Sequence, residues 1–168
     1  MKKIILIIGI SGIGKTTFCS HYRDYNYGIC HIVASSHIKF VLDQHGCVNQ
    51  EYLTKSIYHQ IESDPSNIFL IDGHLINNDV PISLEALTHL KLDAIIALIA
   101  EPKTIILRRK SDLTRNRKDE GVGELLSQQN HETEYASIVA ENLSIPLIKI
   151  ENPNLKTFEF EVNRLIKN

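Results

Sequence analysis

Eight residues near the start of the chain constrain it more than any other stretch. Gly9-Ile10-Ser11-Gly12-Ile13-Gly14-Lys15-Thr16 matches the spacing G-x-x-x-x-G-K-[ST] at every fixed position. Each residue type has a physical reason to be there. Glycines let the backbone take positive φ and come close to a ligand. The turn can then aim a row of N–H groups inward as a nest for phosphate oxygens. A helix beginning near Gly14 adds the positive end of its dipole. Lys15 brings a full charge to the β and γ phosphates of ATP, and Thr16 offers a hydroxyl to Mg²⁺. The expected nucleotide site is therefore Gly9, Ser11, Gly12, Ile13, Gly14, Lys15, Thr16 and Thr17.

At ordinary residue frequencies, a chance match in a chain of this length is on the order of one in two hundred. The flanks fit as well. Residues 4–8 form a short, β-branched apolar run of the kind found in buried parallel strands, and residues 16–25 read as a helix. The loop thus sits where a strand hands over to a helix.

The rest of the chain repeats that alternation. Strands are expected over residues 27–33, 68–72, 93–100 and 146–150. Helices are expected over residues 36–43, 50–63, 83–90, 102–113 and 155–166, and from 124 to about 143 as a long helix with a weak middle. Ser35 or Ser36 is a candidate cap for the first of these, with His45-Gly46 as its stop. Pro102 suits the first position of its helix. Residues 73–82 read as loop, and Gly121 and Gly123 bracket another. Short apolar strands alternating with helices predict an α/β fold with a doubly wound parallel sheet. Five strands with a phosphate-binding loop after the first predict a three-layer P-loop NTPase fold, with ligands outside the carboxyl ends of the strands.

The chain has 168 residues, enough for one domain with a proper core. A net charge of −2 argues against bulk attraction to nucleic acid or to an anionic membrane, and no run of 18 apolar residues predicts a membrane span. Cys19, Cys30 and Cys47 are odd in number and lack C-x-x-C spacing, which suits reduced thiols in a cytoplasmic protein. The eight histidines show no H-E-x-x-H or similar spacing, so no zinc site is expected. Oligomeric state is left open.

Two further regions carry chemistry. Asp72 ends the expected third strand. A carboxylate there is the usual second partner of a phosphate-binding loop, holding Mg²⁺ directly or through water; its plainer role is to start a turn with Gly73. His74, just after, is equally a structural loop residue or a neighbour of the chemistry. Residues 103–118 hold seven basic side chains and one acid, Asp112. Such a run is commonly a solvated helix face. Here Arg109 nears the end of a helix, and Arg115 and Arg117 precede a glycine-containing loop. Arginines on a mobile loop over bound phosphates are what phosphoryl transfer needs, because the guanidinium fork can hold two oxygens at once.

With these residues in view, the chain resembles the archaeal-type adenylate kinases, small P-loop nucleoside monophosphate kinases with a short lid. The resemblance rests on residues 9–16, on Ile71-Asp72-Gly73-His74, and above all on Pro102 with the arginine-rich helix after it and Asp112-Leu113-Thr114-Arg115-Asn116-Arg117. Gln129 and Ala136 continue it. It implies one kinase domain over residues 1–168, an acceptor-binding helical region about 36–63 and a lid about 111–123. It implies that Lys15 and the loop amides bind ATP phosphates, that Thr16 and Asp72 manage Mg²⁺, and that Arg109, Arg115 and Arg117 clamp the phosphates of both nucleotides. Asn152-Pro153-Asn154 would approach the adenine through backbone. Three features depart from that pattern. The acceptor region offers Lys39 where an arginine is usual, Glu132-Thr133 stands where N-R is common, and the loop after His74 lacks a glycine- and proline-rich signature.

The expected activity is ATP-dependent phosphoryl transfer to a small phosphorylated acceptor, a nucleoside monophosphate. Two alternatives share the fold: a slow P-loop ATPase switch serving a macromolecular partner, and a kinase of another small metabolite or of a nucleic-acid 5′ end.

Overall fold

The computed structural model of the chain describes residues 2–46, 49–77, 79–112 and 120–167. In chain order the elements are β1 (Lys3–Ile8), α1 (Lys15–Tyr25), β2 (Ile29–Val33), a 3₁₀ turn (Ala34–Ser36), α2 (His37–His45), α3 (Gln50–Ser63), β3 (Ile68–Asp72), β4 (Ile76–Asn77), β5 (Val80–Pro81), α4 (Leu84–Thr88), β6 (Ala94–Ile99), α5 (Pro102–Ser111), α6 (Val122–Leu143), β7 (Leu147–Glu151) and α7 (Leu155–Lys167).

Five strands make one parallel sheet in the order β2-β3-β1-β6-β7. β1 is central, and every residue after Lys3 is buried. Its side chains alternate between faces, as strand geometry requires. Ile5 and Ile7 join Phe18 and Tyr22 of α1, Ile105 of α5, and Phe158, Val162 and Leu165 of α7. Ile4, Leu6 and Ile8 join Ile57 and Ile61 of α3, Leu87 of α4, and Ala136, Val139 and Ala140 of α6. Two cores on opposite sides of one sheet give the three-layer α/β P-loop NTPase fold. Burying each Ile, Leu, Val or Phe among them stabilises the fold by about 1.5–3 kcal/mol. No helix among the described residues is long and apolar enough to cross a membrane.

Local expectations are corrected in four places. Residues 73–82 are not plain loop: β4 and β5 pair antiparallel, Ile76 opposite Pro81. Ser36 stands at the N-cap position of α2 but makes no side-chain cap bond. The chain enters that helix through the 3₁₀ turn, and Ser36 Oγ instead donates to the Val33 carbonyl at 2.7 Å. Gly123 lies inside α6, which starts at Val122 after the extended Gly121. The weak middle of α6 does not break it. Its polar residues Gln129 and Glu132 fall in phase with Leu125 and Ala136 on the buried face, and each is satisfied by backbone there.

Candidate functional site

The ends of β1 and β3 lie side by side, with Ile7 opposite Asp72. This register brings the loop after β1 next to the acid that ends β3. Gly9 has φ +146, and a Cβ there would meet the Leu98 carbonyl oxygen at 2.8 Å, so only glycine lets the loop leave the sheet at this point. Gly12 has φ +89, and a Cβ there would lie 2.7 Å from Arg109 Cγ. α1 then begins at Lys15 behind Gly14, whose backbone is left-handed.

Lys15 is buried and reaches back over its own loop. Its Nζ donates to the Gly9 carbonyl at 2.5 Å and lies 3.3 Å from His74 Nε2. Thr16 Oγ1 donates to Asp72 Oδ2 at 2.5 Å. Burial opposes ionisation of Asp72, but neighbouring His31, the Lys15 charge and the Thr16 hydroxyl together outweigh it and hold the carboxyl below the usual carboxylate range. Burial and then the charge of Lys15 push the half-buried His74 imidazole down to about 4 against the pull of Asp72, so it is neutral at pH 7.

α5 closes the loop from outside. Arg109 Nε donates to the Ser11 carbonyl at 2.9 Å, and its Nη1 meets Glu120 Oε2 at 2.5 Å. Arg108, one position earlier, donates from Nη1 to the Ile13 carbonyl at 2.6 Å and lines the cleft. The loop is thus held by two guanidiniums acting on two different carbonyls.

A single cleft of about 1470 Å³ joins these parts. One end is formed by Ser11, Gly12, Gly14, Lys15, Thr16 and Thr17. The far wall comes from the end of β2, from α2 and α3 through Ile38 and Leu53, and from the β4–β5 hairpin through Asn77 and Val80. Pro153, Asn154, Leu155 and Lys156 form a third side.

The structure therefore gathers Ser11, Gly12, Gly14, Lys15, Thr16, Thr17 and Asp72 on the cleft, with Gly9 and Ile13 beneath as the frame of the loop. Arg109 joins them through the loop backbone. Asn152 takes φ +47 and donates its N–H to the Ile99 carbonyl at 2.7 Å; its successors, not Asn152 itself, line the cleft. Arg115 and Arg117 lie outside the described residues.

The model of the AAA domain family matches residues 8–125, more than two thirds of the chain. This chain belongs to that family. It is a P-loop NTPase family that includes kinases, and the match spans the loop, Asp72 and α5. No curated protein matches the chain. Nucleotide binding at the phosphate loop follows from membership, since the loop is the part of an AAA domain that holds phosphates.

Whether this AAA domain suits Mg²⁺ can be judged from its donors. Mg²⁺ takes one or two carboxylates and completes its shell with phosphate oxygens and water, rather than using an all-protein cage. The Thr16 hydroxyl and the ionised Asp72 carboxylate are hard oxygen donors at the mouth of the loop, and they fit that demand. Among the described residues no group of three or more His, Cys, Asp or Glu is placed to hold a metal by itself.

Four residues of this AAA domain escaped the sequence reading of the site. Glu132 Oε1 and Oε2 accept from the Leu75 and Ile76 amides at 2.7 and 3.0 Å, which fixes the loop after His74. Gln129 makes a two-way bond to Ala100, donating to its carbonyl and accepting from its N–H, both at 2.9 Å. A signal was present in both cases: a polar residue in phase with an apolar helical stripe. Arg108 and His31 are the others. Nothing in the spacing of β2 marks His31, whose side chain is 2% exposed and lies against Asp72.

Proposed function

We propose that the chain is a kinase that moves the γ-phosphoryl group of ATP to a small acceptor of the nucleoside monophosphate type. The observation that carries this reading is the continuity of the cleft. Its volume of about 1470 Å³ exceeds the roughly 300–1,000 Å³ usual for one small ligand. It runs from the phosphate loop to a separate wall on α2, α3 and the hairpin. A nucleotide hydrolase needs the first half; a transferase needs both.

In this reading ATP lays its phosphates along the loop, and Lys15 turns from the Gly9 carbonyl to the β and γ phosphates. Thr16 and Asp72 would hold Mg²⁺, which when bound would supply neutralisation of the charge on the phosphates. An acceptor phosphate oxygen attacks the γ phosphorus in line. The bond to the β–γ bridging oxygen breaks, ADP leaves, and no side-chain base is needed because the attacking oxygen is already ionised. Arg109 steadies the loop through Ser11. Arg115 and Arg117, in a lid about 111–123, would clamp the phosphates and exclude water. Residues about 36–63 would take the acceptor.

One observation favours a second reading, transfer to a hydroxyl. The cleft-lining lysines and arginines among the described residues are Lys15, Arg108 and Lys156, and none belongs to α2, α3 or the hairpin. On that wall Gln50 and Asn49 already serve backbone groups, at Pro81, Ser83 and Tyr52. An acceptor without a phosphate would then lie against Ile38 and Leu53, its hydroxyl giving its proton to Asp72 or to neutral His74.

The deciding experiment is a phosphoryl-transfer assay with ATP and Mg²⁺ against matched panels of nucleoside monophosphates and nucleosides. Rapid ADP formation with one monophosphate supports the first reading, and with nucleosides alone the second. Slow ATP loss that ignores both panels would sink the kinase reading in favour of an ATPase switch.

A further inference from the structure

β7 is an edge of the sheet, with β6 as its neighbour. Ile95 donates to the Pro146 carbonyl at 2.9 Å, and Asn152 donates to the Ile99 carbonyl at 2.7 Å. Between those bonds the register runs from Ile95 opposite Leu147 to Ile99 opposite Glu151. Backbone groups alternate in direction along a strand, so Ile148 and Ile150 point theirs at β6. The N–H and C=O groups of Leu147, Lys149 and Glu151 point the other way, and among the described residues nothing pairs with them. Side chains alternate too. Ile148 and Ile150 pack into the core under α1 and α7, and Leu147 into the one under α6. Lys149 and Glu151 therefore share the α6 face. Both are exposed, and neither has an ion-pair partner among the described residues.

An open edge is a template for one more strand, and a lysine on it commonly blunts that tendency. Here Glu151, two positions on, makes the same lysine half of a complementary pair. Consider a second copy of β7 running antiparallel about a two-fold axis at Ile150. Lys149 then faces Glu151 of the second copy, and Glu151 faces its Lys149. Both are outward-facing residues, so each such pair exchanges two backbone hydrogen bonds. Opposite charges directly across a pair stabilise it. An axis at Lys149 or at Glu151 would set like charges face to face, so the charges select the register centred on Ile150. The pairing ends at Asn152, which turns away with φ +47, and Pro153 has no N–H to offer. Beside the edge, Lys156, Thr157, Phe160 and Glu161 of α7 form a groove of about 330 Å³ with β7, and Phe160 is 65% exposed on it. The axis is perpendicular to the sheet, so the two α7 helices flank the seam on one face.

We infer that the β7 edge is a homodimer interface, in which two copies of this chain pair antiparallel about Ile150 and continue one sheet into the other. The contact is isologous and uses each β7 edge once, so association through it stops at two. It is small and belongs with weak, reversible interfaces. Lys156 lines both this groove and the large cleft, so the seam ends against the third side of the cleft.

The test is sedimentation of the full chain from micromolar to millimolar concentration, with thermal melts alongside. The samples are the parent, Lys149→Glu, Glu151→Lys, the double variant, and an equimolar mixture of the two single variants. The parent should pass from monomer to dimer as concentration rises. Each single variant lines the seam with one sign of charge and should stay monomeric. The double variant and the mixture restore opposite pairs and should dimerise as the parent does. A parent that is monomeric throughout overturns the proposal, and so does a dimer that survives both single reversals. A mixture that stays monomeric while the parent dimerises overturns the pairing of Lys149 with Glu151. Should a single variant fail to fold, hydrogen exchange of the parent decides. The amides of Lys149 and Glu151 should slow as concentration rises, while those of Ile148 and Ile150 stay protected at every concentration. Exchange at Lys149 and Glu151 that ignores concentration overturns the proposal.

Discussion

Arg109 Nε donates to the carbonyl oxygen of Ser11 at 2.9 Å, and the arginine's Cγ lies where a side chain on Gly12 would be. The guanidinium is bound to the outside of the loop, so its first task is to fix the shape of a nucleotide cradle. Hydrogen bonds from charged donors are worth about 1.5–3 kcal/mol. Arg109→Ala should therefore weaken nucleotide binding about tenfold or more, measurable by calorimetry. Arg109→Lys should not restore it, because an ammonium cannot meet Ser11 and Glu120 with one rigid fork.

Lys15→Ala should cut phosphoryl transfer by at least about a hundredfold, the scale of losing one charge-stabilising group at a reacting centre. It also makes a prediction that needs no turnover. The Lys15 charge helps keep His74 near 4. Removing a positive neighbour favours the protonated ring, so the His74 pKa should rise toward 6.5 in Lys15→Ala. Imidazole titration by NMR reads this directly; an unmoved His74 would show that burial alone sets its value.

Glu132 holds two backbone amides with one buried carboxylate. Glu132→Ala leaves both donors without their acceptor and should lower stability by about 2–4 kcal/mol in urea unfolding. Glu132→Gln keeps one acceptor oxygen and should lose less. Equal losses in the two variants would mean that packing, not the amide bonds, is what Glu132 supplies.

His37 bridges α2 to α3, its Nδ1 2.9 Å from Ser56 Oγ and its Nε2 2.8 Å from Gln60 Oε1. Burial lowers its pKa from the ordinary 6.5, with the Gln60 bond pulling the other way. A histidine lowered on folding takes its proton more readily when unfolded. Its stability contribution is therefore intact above pH 6.5 and is lost as pH falls below it. Melting temperatures of the parent should drop between pH 7 and pH 5 by more than those of His37→Gln.

Much of this site could be read from residue order. The loop was legible because its chemistry demands fixed residues at fixed spacing, and Asp72 because it ends an apolar strand. α3 and β3 matched their expected spans at both ends, and in the structure Asn49 caps α3 by accepting from the Tyr52 N–H. What stayed hidden depends on distant partners. Arg108 and Arg109 are adjacent, and successive helical residues point about 100° apart. Which one lines the cleft is settled when Ile105 turns into the core and fixes the rotation of α5. The β4–β5 hairpin has two residues per strand and no periodicity to detect; it stands because Glu132, 57 positions from Leu75, holds its entry. His31 reads as an ordinary strand residue until the sheet register sets it beside Asp72.

α6 joins pieces that the sheet alone leaves separate. Gln129 bolts it to the exit of β6, beside the phosphate loop, and Glu132 bolts it to the exit of β3, below the hairpin. The two bolts are one helical turn apart on an unbroken rod of 22 residues. At the head of that rod Gln128 and Arg109 both grip Glu120. Mechanically this is a lever with a fixed fulcrum. A pull on Glu120 is spread along a stiff bar that cannot bend between its anchors, so the floors of the two half-clefts move as one piece or not at all. Relative motion between the two halves of the cleft would then come from α2 and α3, on the far wall.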